Sequence, residues 1–162
     1  MTPRYRPPNN VHETTVADLL RGVRPTAKDD KNRTGVWNDP SHSLRVWYAG
    51  DNTLVKQPCV AIVGTRKVSA DGAKRARHLA RDLVSHGVVV VSGLAYGVDA
   101  AAMRAAIDAN GKTIGVIGTP VDIASPMENA SVQETIYEKH LLISQFQVGR
   151  PVSRGNFPRA TS

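Results

Sequence analysis

Two short apolar runs, Cys59–Val63 and Val88–Val91, constrain this chain more than anything else in it. Each is rich in branched residues, as a strand buried on both faces of a parallel sheet requires. Between them lies one amphipathic stretch ended by Gly87. Two strands joined by a single helix make a right-handed βαβ unit. Both runs close on glycine turns, Gly64-Thr65-Arg66 and Ser92-Gly93-Leu94-Ala95-Tyr96-Gly97-Val98-Asp99. These turns then fall at the carboxyl edge of the sheet, where open α/β sheets bind ligands.

The intervening helix is expected over about residues 71–86. Ala73, Ala76, Leu79, Ala80, Leu83 and Val84 recur on one face, and Lys74, Arg77, His78 and Arg81 on the other. Ser69 or Asp71 is the natural N-cap. The basic stripe reads as a solvated outer face, with His78 a surface group without a partner. An alanine-rich helix is expected from Val98 to Ala109, then a third strand, Thr113–Ile117, closed by Gly118-Thr119-Pro120-Val121-Asp122. A short helix over residues 131–139 and a fourth strand, Leu141–Ser144, follow.

Upstream, residues 1–10 read as a flexible arm. Residues 15–22 suit a short helix capped by Thr14 or Thr15, and 23–43 read as loop. Leu44–Gly50 is strand-like, with Trp47 packing this lead-in onto the domain. The expected organisation is an arm and linker over residues 1–43 and an α/β domain over 44–162. The tail from Gln145 onward reads as loop.

With 162 residues and a formal net charge of +7, the chain is long enough for a real core and suited to a polyanionic partner. The charge is spread out: residues 1–56 carry nine basic and six acidic side chains, residues 57–111 seven and four. One cysteine excludes a disulfide framework and a multi-cysteine metal site; Cys59 reads as a small buried hydrophobe. The N-terminus lacks the apolar core of a signal peptide and no run spans a bilayer, so a cytoplasmic protein is expected.

Glycine lets a ligand approach the main chain closely. Gly64, Gly93, Gly97 and Gly118, with hydroxyls from Thr65, Ser92 and Thr119, therefore read as a phosphate crevice, and Arg66 and Lys67 supply the cations. A helix start would add unpaired amides to it. Neither G-x-x-x-x-G-K-[ST] nor G-x-G-x-x-G is present, which argues against a P-loop nucleotide or a dinucleotide cofactor. None of the five histidines lies in a turn at the strand edge. Asp99 and Asp122 do lie there, and read as partners of turn amides. Nothing pairs a nucleophile with a base, so binding is expected rather than catalysis.

The ordered set Val63-Gly64-Thr65-Arg66, Ser92–Asp99, Gly118–Asp122, Pro126-Met127-Glu128-Asn129 and Gly155-Asn156-Phe157-Pro158-Arg159 resembles the DprA/Smf DNA-processing family. The lead-in Trp47–Asp51 matches as well, so the resemblance runs from about Leu44 to Arg159. It implies a Rossmann-like three-layer α/β fold with a mostly parallel sheet and helices on both faces. It further implies single-stranded DNA binding, strand protection and loading of a RecA-type recombinase in natural transformation, often as a homodimer, without cofactor or metal. By position, Arg66 would grip a phosphate, Asn129 would belong to the site, Phe157 would stack a base, and Arg154, Asn156 and Arg159 would add contacts.

The chain departs from the family pattern at three positions. Tyr96 stands where arginine is usual, Ser125 where tyrosine is usual, and Gln145 where an acidic residue is common. The family's block continues past Phe157-Pro158-Arg159, and dimerisation and recombinase loading depend on that continuation. A nucleotide-signal-binding module is the alternative function. A phosphoribohydrolase of the same broad superfamily would need a P-G-G-x-G-T-x-x-E loop, and Gly118–Asp122 supplies neither its glycine cluster nor its glutamate.

Overall fold

Successive valines in one strand face opposite cores. Val90 packs with Ala80, Met103, Ile117 and Ile136, whereas Val89 and Val91 pack with Val46, Ile114 and Ile143. A strand with apolar residues in both directions must lie inside a sheet covered on both sides. The computed structural model describes residues 4–23 and 43–150, and within them builds that sheet from six strands. They are β1 (His12–Thr15), β2 (Arg45–Gly50), β3 (Cys59–Ala61), β4 (Val89–Ser92), β5 (Thr113–Ile117) and β6 (Leu141–Ser144). Their spatial order is β1-β2-β6-β5-β4-β3. The run from β3 to β6 is parallel, and β2 and β1 extend it antiparallel.

The helices are α1 (Val16–Leu19), α2 (Ala70–Ser85), α3 (Val98–Asp108) and α4 (Ala130–Lys139). The four parallel strands follow one another in space as in sequence, so right-handed crossovers carry α2, α3 and α4 to the same face. Their buried residues Ala80, Met103 and Ile136 accordingly share one core. Among the described residues the opposite face carries α1 and the 3-10 helix Asn52–Lys56, through Leu19, Leu54 and Val55. The fold is thus the expected three-layer α/β arrangement, with unequal layers.

Local signals set the helix ends. Ser69 accepts from the Gly72 amide at 3.0 Å and caps α2, and Thr15 accepts from the Asp18 amide at 3.1 Å and caps α1.

Several expectations are corrected. Strand β3 is an edge strand paired only to β4 among the described residues, and Cys59, Val60 and Ala61 are exposed rather than buried. The Cys59 thiol donates to the Gln57 carbonyl at 3.1 Å, and partial burial pushes its pKa up, away from thiolate character. Leu79 lies 48% exposed on α2, where the buried residues are Ala76 and Ala80. His78 faces Asp82 at 3.4 Å, one turn along the helix.

Residues 4–10 are docked rather than a free arm. Tyr5 is buried, donates to the Val121 carbonyl at 2.6 Å and accepts from Gln133 at 2.9 Å. Arg6 pairs with Glu134 at 2.8 Å, and the Tyr137 hydroxyl donates to the Arg6 carbonyl. Strand β1, not anticipated from the sequence, pairs with β2 through His12↔Tyr48, whose rings stack 5.1 Å apart.

His140 joins α4 to the sheet. Its backbone amide donates to Ile136, its carbonyl accepts from Asp51, and its Nδ1 accepts from the Thr113 amide at 3.3 Å. Burial, with Lys112 and Lys139 nearby, pushes its pKa down to about 4. The unfolded chain therefore binds the proton more readily between pH 6.5 and about 4, and stability falls as pH drops through that window. Thermal melts from pH 7.5 to 4.5 are expected to show a loss of roughly 2–3 kcal/mol attributable to this residue, and a His140→Gln variant is expected to flatten that dependence.

Candidate nucleic-acid interface

The loops after β3, β4 and β5 meet at the carboxyl edge of the sheet. Asp99, buried in the first turn of α3, holds two of them together. One carboxylate oxygen accepts from the Gly64 amide at 3.3 Å and the other from the Gly93 amide at 3.0 Å. The Asp99 reading as a partner of turn amides thus describes what the structure shows. It also changes the crevice. The Val98 amide donates to Thr65 and the Ala100 amide to Ala95. These backbone donors are engaged within the protein, so they do not form the open amide cradle expected at a helix start.

Gly97 seals the same junction. Its φ is +81°, and a Cβ there would lie 2.2 Å from the Thr65 carbonyl oxygen and 2.7 Å from that of Arg66. Only glycine combines that backbone with that approach. The turn carrying Arg66 is thereby pressed onto the turn carrying Tyr96.

The expected site residues divide into three groups. Arg66 and Lys67 are exposed, and among the described residues the Arg66 guanidinium has neither ion pair nor hydrogen bond. Gly64, Gly93, Gly97 and Gly118 shape the junction.

Ser92, Thr119 and Asn129 are buried, whereas Thr65 is exposed and bonds its hydroxyl to the Lys67 backbone. Thr65 Oγ1 accepts from the Lys67 amide at 3.2 Å, and buried Thr119 donates to the Ile123 carbonyl at 3.3 Å. Ser92 is buried with its hydroxyl unpartnered. Asn129 is buried, donates to the Leu94 carbonyl at 2.8 Å and accepts from Arg104 at 3.1 Å, bracing the turn from behind. Asp122 accepts from the Gly149 amide at 3.3 Å. Arg154, Asn156, Phe157 and Arg159 lie outside the described residues.

Sequence reasoning missed the cleft that adjoins this edge. A cavity of about 800 Å³ runs from Arg66, Gly93, Tyr96 and Gly118 down over the thinly covered face of the sheet. Its floor is Val46, Val55, Val116 and Ile143, and α1 forms one wall through Val16, Leu19 and Leu20. The only sequence signal was Val116, an apolar residue alternating away from the helical core, here 49% exposed. An apolar trough with a guanidinium at its mouth that is unpaired among the described residues suits an anion that carries an apolar or aromatic body. No group of three or more His, Cys, Asp or Glu side chains among the described residues is placed to hold a metal ion.

Residues 32–160 match the model of the DNA recombination-mediator protein A family. The chain belongs to this family, DprA/Smf. DNA processing protein DprA of Streptococcus pneumoniae is 41% identical over 113 residues, covering 70% of this chain and 40% of that protein. Its X-ray structure superposes with a TM-score of 0.67 at 37% identity, covering 73% of this chain and 41% of that one. A structure of DprA from Helicobacter pylori, described for its single-stranded DNA binding mode, gives a TM-score of 0.65 at 28% identity over 82% of this chain and 60% of that one. The chain spans about two fifths of the length of the Streptococcus pneumoniae protein.

Removing the Asp99 carboxylate leaves two turn amides without their partner. Asp99→Ala is expected to cost about 2–3 kcal/mol of stability by urea titration. Asp99→Asn, which keeps one acceptor, is expected to cost about half of that.

Proposed function

We propose that this chain binds single-stranded DNA in the cleft at the carboxyl edge of the sheet, as a DNA-processing protein. The observation that carries the reading is the Arg66 guanidinium, unpaired among the described residues, at the mouth of an apolar cleft. A guanidinium presents a planar fork of donors that matches a phosphate. The apolar floor takes the faces of bases, which only a single strand exposes. Lys67, beside Arg66 in the sequence, and the net charge of +7 add to the attraction. Family membership and the described binding mode of the Helicobacter pylori relative support the same assignment.

In this reading the chain acts by binding, not by catalysis, in the cytoplasm and without a cofactor. Nothing at the described edge pairs a nucleophile with a base. Arg154, Asn156, Phe157 and Arg159, which lie outside the described residues, belong to the proposal through the resemblance alone. Strand protection, delivery to a RecA-type recombinase and self-association are part of the proposal through the resemblance alone. The size of the cleft favours one second reading, a free nucleotide bound as a signal. A thermal-shift panel of mononucleotides and cyclic dinucleotides separates the two readings.

Fluorescence anisotropy with labelled oligothymidylate at rising salt tests the main one. Affinity is expected to fall steeply with salt. Arg66→Ala is expected to weaken binding several-fold and to flatten the slope of log affinity against log salt by about 0.7, the contribution of one phosphate on a single strand. Absence of salt-sensitive binding at low ionic strength would overturn the reading.

A further inference from the structure

Tyr96 stands out among the cleft residues as a large aromatic side chain that belongs to none of the hydrophobic clusters of the described residues. It is 48% exposed, on the turn after β4, yet it is held in place. Its hydroxyl donates to Glu128 Oε2 at 2.8 Å. The backbone carbonyl of Glu128 in turn accepts from Arg104 at 3.1 Å, and Arg104 also donates to Asn129. Asn129 donates to Leu94, two residues before Tyr96. Both ends of the tyrosine are therefore held by one network that runs from the surface to the buried Asn129: the backbone through Leu94, the phenol through the exposed Glu128. The shared bond raises the Tyr96 pKa and helps to lower that of Glu128, which also accepts from its own backbone amide. At neutral pH a neutral phenol donates to a carboxylate.

The position is fixed relative to Arg66 as well. Gly97 lies against the carbonyls of Thr65 and Arg66, so the backbones bearing Arg66 and Tyr96 abut. Both side chains line the same cleft, beside Gly93 and Gly118.

We propose that Tyr96 and Arg66 together form a one-nucleotide subsite, in which a base stacks on the Tyr96 ring while its phosphate pairs with the guanidinium. This rests on the reading of the cleft as a single-stranded DNA site and names the part of that site that takes the base. The proposal explains why the ring is exposed and immobilised at once, since a stacking platform must be open on one face and lose little freedom when occupied. The single hydroxyl donor is given to Glu128, not to the cleft. The platform therefore reads a π-face without a hydrogen bond to any base edge, and accepts all bases with little preference. A base in a duplex has its faces covered and does not fit.

The test uses the full chain and two labelled oligonucleotides of equal length, oligothymidylate and a fully abasic strand. Circular dichroism and thermal melts establish that the exposed position is changed without loss of the fold. Tyr96→Ala is expected to weaken oligothymidylate binding about tenfold with an unchanged salt slope, and to leave binding to the abasic strand unaltered. Tyr96→Phe, which keeps the face and loses only the brace, is expected to stay within about threefold of the parent. Arg66→Ala is expected to weaken both strands alike and to flatten the slope. Equal loss on both strands in Tyr96→Ala, a flattened slope in that variant, or no loss while Arg66→Ala still weakens binding would each overturn the subsite and leave the single-stranded DNA reading standing. Failure of the parent chain to bind either strand would overturn that reading, and the subsite with it.

Discussion

The Asp99 carboxylate is the tie on which the site depends. Strands β3 and β4 end side by side, and each end turns sharply away from the sheet. Left alone, the amides of Gly64 and Gly93 would compete for water or a ligand, and the two turns would be free to separate. A single buried carboxylate accepts from both. Its position in the first turn of α3 also sets a negative charge at the positive end of that helix. The glycines serve this tie as much as any ligand: Gly97 allows the Arg66 turn to close onto the α3 turn with no side chain between them. The amides of Gly64, Gly93, Val98 and Ala100 are thus engaged within the protein, and the cationic side chain of Arg66 is what this edge presents to an anion.

The unequal layers explain where the cleft lies. Four parallel strands laid down in one direction send all three long helices to one face. Among the described residues the other face is left to a four-residue helix and a 3-10 turn. Strands β4, β5 and β6 are apolar on both faces, so the thin cover leaves Val116 and its neighbours lining a trough that opens at the same edge as the glycine turns. Site and trough are thus one consequence of strand order. No special arrangement of loops is needed to join an anion-binding mouth to an apolar floor.

Much of this was legible in the sequence, and what was missed has a common cause. The strands β4, β5 and β6 and the helix α2 followed from periodicity and glycine stops, because each is set by local pattern. The parallel pairing of β3 with β4 followed from the connection. What local pattern does not encode is which strand ends the sheet. Cys59–Ala61 reads like an interior strand and lies at the edge, and Leu79 reads like core and is exposed on α2. Long-range partners were equally invisible. Tyr5 sits in a proline- and arginine-rich stretch, and only its contacts with Val121 and Gln133, more than 100 residues away, show why it is ordered. At the site, Arg66 was legible as a cation on a turn. The burial of Thr119 and Asn129 was not, since a hydroxyl or amide beside a glycine turn serves ligand and backbone equally well on paper.

The arrangement around Tyr96 shows how one position shifts the balance between charge and surface. A cation on this turn would face Glu128 and form an ion pair at the rim, leaving less of its charge for a phosphate. A tyrosine gives Glu128 a neutral donor instead and keeps its ring face toward the cleft. The described edge then offers a strand the charge of Arg66 and Lys67, an aromatic face and an apolar trough. Exposed charges are screened within about 10 Å at ordinary ionic strength, whereas stacking and apolar burial are not. Under the proposed reading, a site weighted this way would hold a strand through contact more than through field, and would discriminate single from double strands by the accessibility of the base rather than by the density of phosphate.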